Sequence, residues 1–533
     1  MYNNYTPLQQ RQLALQEYSN TQSTYLLVCA PARSTALKST LTDQLHRKFR
    51  LVDRLGGELT ASVDGVLLAA EDVELMSTAL MFFAKALQDG ADYAVCNAVF
   101  GFGGATALYQ SQPLQAQNRC AVVSRTLLER CRAAAHDPEN VPELLALAAQ
   151  LCTKPALIPQ ALLHYERGIC AEDAFSAHGK RAFIMSHVLD MTGAPIVLVS
   201  AVPVLRSMGY EVLVLGPSDG GSLHLFLDAG ASVITRSSCR NVSDAWGMAL
   251  CADFVIVNTV VMARAVRALS GTAVPVLWWL HDAFAGYPHI AHQIPTQLGE
   301  NVRVYSVGSH AANAMRAVRP EFEIRPLIYG LPDYAAENFV RTDLGYNRGR
   351  PLFATVGSFE RRKGHDIFCK AIRLLPPEVR EKASFLFVGQ AADKEMMDSV
   401  RTLTADYPEN VFYCKRLTRD EIKSLMEQCT GLVCASRDDP MPTFVTEGLI
   451  FGKPSIVSEH TGTAGLISEG RNGFVYHDDD PQQLAVLLEH AIEHPEELAS
   501  MRTECRKMYE QYYSKEAFEQ TLRAAVEDLT AKK

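Results

Sequence analysis

Ser436-Arg437-Asp438-Asp439-Pro440-Met441-Pro442-Thr443-Phe444-Val445-Thr446-Glu447-Gly448 sets two carboxylates, Asp439 and Glu447, on either side of a Pro-Met-Pro turn, with seven residues between them. Proline has no N–H and clashes inside a helix, so Met441-Pro442 reads as loop and Thr443 as the start of a helix. The first amides of that helix, those of Thr443, Phe444 and Val445, then face an anion at the positive end of the helix dipole. Glu447 lies about one turn inside, able to accept hydrogen bonds from a ribose, while Asp439 sits across the loop beside whatever the phosphates carry. Taken alone, two acids at this spacing are more often a solvated helix start with a capping acid. The surrounding chain decides between the two.

Working outward, short β-rich runs alternate with helical patterns on both sides of this stretch, as doubly wound parallel sheets require. RAFIMSHVLD, Tyr210 to Leu215, FVIVNT (254–259), VPVLWWL (274–280) and VRVYSVG (302–308) read as the strands of one such domain, residues 176–340. PLFATVGSFE, ASFLFVGQ, NVFYCKRL, GLVCAS and KPSIVSE read as five strands of a second, residues 341–533, after a linker near Leu331 to Arg350 that is rich in Gly, Pro, Asn and charge. The final helices, Pro481 to Asp528, are expected to close this second domain and cross back to the one before it. The predicted fold class is α/β, with two facing Rossmann-like domains and an N-terminal α/β extension.

Three further loops fall where such sheets bind ligands, at strand C-termini. Met191-Thr192-Gly193-Ala194-Pro195 opens a helix after the first strand, and Gly193 lets a backbone approach phosphate closely. His281-Asp282 ends VPVLWWL, and Gly357-Ser358-Phe359-Glu360-Arg361-Arg362-Lys363-Gly364 links a strand to the helix HDIFCKAIRLL. A basic loop is commonly solvated surface, and a His after an aromatic strand is commonly structural. Their convergence with the acidic stretch favours function, because a departing diphosphate needs positive charge and fixed donors.

In this order the motifs of residues 180 to 530 resemble the retaining glycosyltransferases of the GT-B fold, of the large family 4 type. There an acidic residue and a Glu eight positions later bind donor sugar and ribose, which implies those roles for Asp439 and Glu447. The resemblance also implies that Lys363 contacts the donor diphosphate and that His281 sits beside the anomeric carbon, so His281, Lys363 and Asp439 are placed at the reacting centre. Gly193, Gly357, Arg362, Gly389 and Arg416, with Thr443, Phe444 and Val445, complete the implied donor set, Gly389 and the Lys415-Arg416-Leu417 turn belonging to the base-reading segment. Three positions depart from the pattern: Ser358 stands where Arg is usual, Asp439 where Glu is usual and Pro442 where Gly is usual. The expected reaction moves a sugar from a nucleotide-diphosphate donor to a hydroxyl on a glycan, lipid-linked or protein-linked acceptor, without metal or cofactor, in polysaccharide or glycoconjugate assembly. A sugar-nucleotide epimerase of similar fold and a non-catalytic nucleotide-sugar-binding scaffold are the competing readings.

Residues 1–175 carry LLVCAPARS, DGVLLAAEDVELMSTALMFFAKAL, ADYAVCNAV, RCAVVSRTLLERC and KPALIPQALLHYERG in an order similar to the later half of a family 2, GT-A glycosyltransferase. The Asp-x-Asp metal position would read Ala69-Ala70-Glu71-Asp72, so this resemblance implies a shortened or decayed module with a docking role toward a protein or membrane surface; an unrelated α/β extension fits the same residues. The whole chain of 533 residues is too long for one core. Its net charge of −9 argues against a nucleic-acid partner, which needs a concentrated basic surface. Thirteen cysteines without CxxC or Cys/His spacing suggest neither a disulfide framework nor a zinc site. With no signal-like start and no apolar run near the roughly 18 to 20 residues of a bilayer span, the expected location is the cytoplasm, including the inner membrane face.

Overall fold

The computed structural model describes residues 24–29, 120–165, 179–218, 220–236, Cys239 and 244–531, together with residues 106–110 and parts of 37–102. The described residues up to Ile256 form one compact unit and those from Val257 onward a second. The first unit holds strands β1 (Leu26–Cys29), β2 (Phe49–Val52), β3 (Gly65–Ala69), β4 (Glu74–Leu75), β5 (Tyr93–Phe102), β6 (Thr106–Gln110), β7 (Cys120–Ser124), β8 (Pro155–Tyr165), β9 (Lys180–Met185), β10 (Tyr210–Gly216) and β11 (Ser232–Arg236), and the chain leaves it along β12 (Phe254–Asn258).

Both faces of the early sheet are covered, which is why its strands read as unbroken apolar runs rather than alternating ones. Leu26, Val28, Leu67 and Ala69 pack on one face with Leu80 and Phe83 of helix α1 (Ala79–Gln88). Their sequence neighbours Leu27, Val66 and Leu68 point the other way, onto Leu127, Leu128 and Leu144. Strands β9, β10 and β11 run parallel, and β11 then pairs antiparallel with β6, from Val233↔Tyr109 to Arg236↔Thr106. The N-terminal extension and the strands after Lys180 therefore share one sheet. Helix α2 (Gly193–Ser207) follows β9, as expected from the Gly193 turn. Glu71 and Asp72 of the expected metal position lie outside the described residues.

In the second unit β13 (Val276–Leu280), β14 (Val302–Ser306) and β15 (Ile324–Pro326) are parallel neighbours. Helix α3 (Ser309–Arg316) follows β14. Six more strands, β16 (Leu352–Val356), β17 (Ser384–Val388), β18 (Val411–Cys414), β19 (Gly431–Cys434), β20 (Ser455–Ser458) and β21 (Gly473–Tyr476), make a parallel sheet ordered β18-β17-β16-β19-β20-β21. Five of the six match the runs singled out in the sequence; β21 is an addition. The order is doubly wound, and the direction of winding reverses between β16 and β19, the place where such sheets open a ligand crevice. Helices α4 (His365–Leu374), α5 (Arg419–Gln428) and α6 (Thr443–Ile450) follow β16, β18 and β19.

The last helix, α7 (Lys515–Thr530), returns to the strands that open this unit. Phe518 stacks on Trp279 with ring centroids 5.8 Å apart, and Asp528 accepts from Arg325 at 2.8 Å. No helix among the described residues is long and apolar enough to cross a membrane.

Candidate functional site

The loop after β16 and the loop after β19 meet at the switch point because glycine allows them to. Gly364 has φ +66°, and a Cβ there would lie 1.8 Å from the Ala435 carbonyl oxygen. On the far side of β16 a Cβ at Gly389 would lie 1.8 Å from the Gly357 carbonyl oxygen, so Gly389 and Gly357 are in backbone contact. Arg437 then stitches the loops together: its N–H donates to the Arg362 carbonyl at 2.8 Å, and its guanidinium donates to Asp366 at 2.7 and 2.8 Å.

Across this seam Lys363 Nζ donates to Asp439 Oδ2 at 2.6 Å, and Asp439 is only 4% exposed. Arg362 Nη1 lies 4.0 Å from the same Asp439 oxygen, while its guanidinium donates to the Asp438 carbonyl at 3.0 Å and to Glu360 at 2.8 Å. Ser358, in the usual Arg position, donates to the same Glu360 oxygen at 2.9 Å. Helix α6 begins at Thr443 as the Pro-Met-Pro reading requires, with Pro442 as its N-cap. The Val445 N–H donates to the Pro442 carbonyl at 3.1 Å, so the first turn offers an anion the amides of Thr443 and Phe444 and not three in a row.

Glu447 lies one turn in and is largely buried. Burial pushes its carboxyl upward, against the Arg419 guanidinium, which donates to Oε1 at 2.7 Å. Arg419 is the first residue of α5, started by a reciprocal cap between Thr418 and Glu421, and its guanidinium lies 4.1 Å from the centre of the Tyr334 ring. Oε2 of Glu447 accepts from no protein donor among the described residues. Arg416 is exposed in the turn before α5, where its carbonyl accepts from Cys414.

His281 follows β13 with its ring 4.7 Å from that of Trp279. Next to it, burial pushes the Asp282 carboxyl up to about 6 in spite of hydrogen bonds from the Val260 and His281 amides, the former at 2.6 Å. Val260 can aim its N–H there because Thr259 takes φ +69°, a conformation costly for a β-branched residue and characteristic of functional sites. Gly193 belongs to the first unit; a Cβ on it would meet nothing within 4 Å, so open space faces the start of α2.

Sequence reasoning passed over Asp438 and His310. Asp438 Oδ1 accepts from His310 Nε2 at 2.7 Å and from the Phe284 N–H at 3.0 Å, and Oδ2 accepts from the Ala285 N–H at 2.9 Å. Burial alone would raise this carboxyl; the three donors outweigh it and hold Asp438 below the usual carboxylate range. Asp438 and Asp439, although adjacent in sequence, thus serve different partners. Among the described residues no group of three or more His, Cys, Asp or Glu is placed to hold a metal ion.

Residues 178–318 match the family model described as glycosyl-transferase family 4, and residues 337–508 match that described as glycosyl transferases group 1; together the matches take in more than half of the chain. Spore coat protein SA of Bacillus subtilis is 28% identical over 160 residues, 28% of this chain and 41% of that protein. The protein described as uncharacterized glycosyltransferase MJ1178, from Methanocaldococcus jannaschii, is 26% identical over 197 residues, 36% of this chain and 53% of its own length. The chain thus spans about half the length, or less, of these curated relatives. Among solved structures, Anabaena HepE in complex with UDP superposes with a TM-score of 0.52 at 18% identity, and sucrose-phosphate synthase from Thermosynechococcus elongatus with 0.53 at 15%. Each covers 66% of this chain and 100% of the other, and at such identities the likeness is one of fold.

Proposed function

From the matches to glycosyl-transferase family 4 over residues 178–318 and to glycosyl transferases group 1 over residues 337–508, we propose that the protein is a retaining, metal-independent glycosyltransferase of the GT-B fold, moving a sugar from a nucleotide-diphosphate donor to a hydroxyl acceptor. The observation that carries this reading is the meeting of Lys363, Asp439, the Thr443 and Phe444 amides and Glu447 at the switch point of one sheet. Donor binding exchanges the Lys363–Asp439 pair for two new ones: the diphosphate takes Lys363 and the amides of α6, and Asp439 turns to the sugar hydroxyls. Glu447 Oε2 accepts from the ribose while Arg419 holds Oε1. His281 lines the acceptor side.

In the transfer step the acceptor oxygen bonds to the anomeric carbon as the bond to the phosphate oxygen breaks. The acceptor proton passes to the departing diphosphate on the same face, so no separate enzymic base is needed. Lys363 and the α6 amides stabilise the charge that develops there. A uridine nucleotide sugar is the first donor to try, since HepE has been solved with UDP and with UDP-glucose. The acceptor is a glycan, lipid-linked or protein-linked hydroxyl in polysaccharide or glycoconjugate assembly at the cytoplasmic side of a membrane, with residues 1–175, 176–340 and 341–533 acting as docking, acceptor-side and donor-side segments.

The test is incubation with UDP-glucose, UDP-galactose, UDP-N-acetylglucosamine, GDP-mannose and ADP-glucose, following both nucleotide release and the anomer formed. Release with retention at the anomeric carbon supports the reading. An epimerised donor with no nucleotide released, or binding without turnover of any donor, overturns it.

A further inference from the structure

We propose that Asp438 is a positioning residue for the transfer step: its carboxylate holds the loop that follows His281 in register with the loop that carries Asp439. The inference rests on the transferase reading above and adds to it a residue that touches neither donor nor acceptor. Its basis is that three donors from two distant segments converge on one side chain that is 13% exposed. His310 Nε2 (2.7 Å) comes from the first turn of α3, and the Phe284 (3.0 Å) and Ala285 (2.9 Å) amides come from the turn three residues past His281.

The Asp438 carbonyl also receives the Arg362 guanidinium at 3.0 Å, so this single residue ties the basic loop, the His281 loop and α3 to the start of the acidic stretch. The next residue, Asp439, points the opposite way, to Lys363 at 2.6 Å. A shift of the 282–286 turn relative to residue 438 would therefore change the distance between His281 and Asp439, the two groups assigned to the reacting sugar.

A carboxylate is required because both oxygens accept. An amide of the same shape has one acceptor oxygen and would present an NH₂ to a backbone N–H. Asp438→Asn thus keeps the size and breaks the latch. His310→Gln keeps a donor close to the Nε2 position and leaves the two backbone bonds in place.

The experiment uses the full chain and the donor turned over fastest in the panel above, with two readouts. One is backbone hydrogen exchange in the 281–287 peptide; the other is kcat, KM for the donor and affinity for its nucleoside diphosphate. For Asp438→Asn we expect faster exchange in that peptide, nucleoside diphosphate affinity within about twofold, and kcat lower by roughly 10- to 100-fold, the range for misplacing reacting groups by about an ångström. His310→Gln should keep exchange protection and most of kcat. Unchanged exchange in Asp438→Asn, unchanged kcat, a parallel loss of nucleotide affinity, or equal damage in both variants overturns the proposal. A wild-type protein that transfers no sugar defeats the transferase reading on which the proposal rests, and the exchange readout then separates that failure from absence of the latch.

Discussion

Lys363 and Asp439 face each other at 2.6 Å, so the cation assigned to the leaving diphosphate and the acid assigned to the donor sugar neutralise one another. Asp439 is nearly inaccessible, whereas the Lys363 side chain keeps 19% of its surface. The pair is a poised exchange partner for an incoming anion, and its two members can be separated experimentally.

Lys363→Ala strands a buried carboxylate and removes a charge stabiliser together. Stability should fall by about 3 kcal/mol, the low end for breaking a buried pair, and kcat by roughly 10²- to 10³-fold. The double change Lys363→Met with Asp439→Leu removes both charges, so the melting temperature should recover while turnover does not. Ser358→Arg, restoring the family's usual cation, should tighten nucleoside diphosphate binding by about 1 kcal/mol, roughly fivefold. Full activity in Lys363→Ala together with unchanged affinity in Ser358→Arg would return this loop to ordinary solvated surface.

Arg419 predicts a pH effect with a definite sign. Burial raises the Glu447 carboxyl and Arg419 opposes it, so Arg419→Met removes the opposition and raises that carboxyl further. Glu447 must be ionised for Oε2 to be a free acceptor for the ribose; nucleotide affinity should therefore decline as pH falls, and in Arg419→Met the decline should begin at a higher pH than in wild type. Glu447→Ala should weaken the nucleotide at every pH and leave the melting temperature nearly unchanged, since half-exposed Arg419 can turn to water. Titration calorimetry between pH 5 and pH 8 reads both; parallel curves for wild type and Arg419→Met would contradict the assignment.

Asp282 carries the corresponding prediction for stability. Its carboxyl is raised to about 6 from an unfolded value of about 3.8. The stabilisation from its neutral form is complete below about pH 3.8 and is lost as pH rises through about 6. Asp282→Asn keeps an acceptor for the Val260 amide and never ionises. Its advantage over wild type should grow from near zero at pH 4 to the order of 2 kcal/mol at pH 8, read from denaturant midpoints. A difference independent of pH would show that Asp282 is not held in its neutral form.

Turnover is expected to survive EDTA, because Ala69-Ala70-Glu71-Asp72 stands where the Asp-x-Asp of a metal-dependent module would fall, and in the Asp478-Asp479-Asp480 run Asp480 is engaged as a helix cap, accepting from the Gln482 N–H at 2.8 Å. Complete loss restored by Mn²⁺ or Mg²⁺ would move the working catalytic module to the N-terminal extension.

The helix start at Thr443, the position of Glu447 one turn in and the strand–loop–helix at Gly357 to Gly364 were legible in the sequence because each depends on neighbours a few residues away. Proline chemistry and glycine spacing are local rules. The roles of Asp438, His310 and Arg419 were not legible. Asp438 sits in the Ser436–Gly448 stretch, yet its donors come from Phe284, Ala285 and His310, and nothing in residue type says which distant loop an exposed-looking Asp will meet. The start of α5 at Thr418-Arg419 could be read from its capping pattern, but the reach of Arg419 to Glu447 could not. The sequence leaves the Val445 amide open, because a single tight turn onto the Pro442 carbonyl leaves no mark in composition.

The pairing of Thr106–Tyr109 with Val233–Arg236 makes the first 175 residues something other than a detachable accessory. A chain trimmed to begin near residue 176 would bare the backbone of Ser232–Arg236, an invitation to stick to other chains. Any descendant that sheds the extension must find a new neighbour for that strand at the same stroke, so the two parts are bound to a common inheritance by backbone hydrogen bonds, whatever becomes of their separate chemistries.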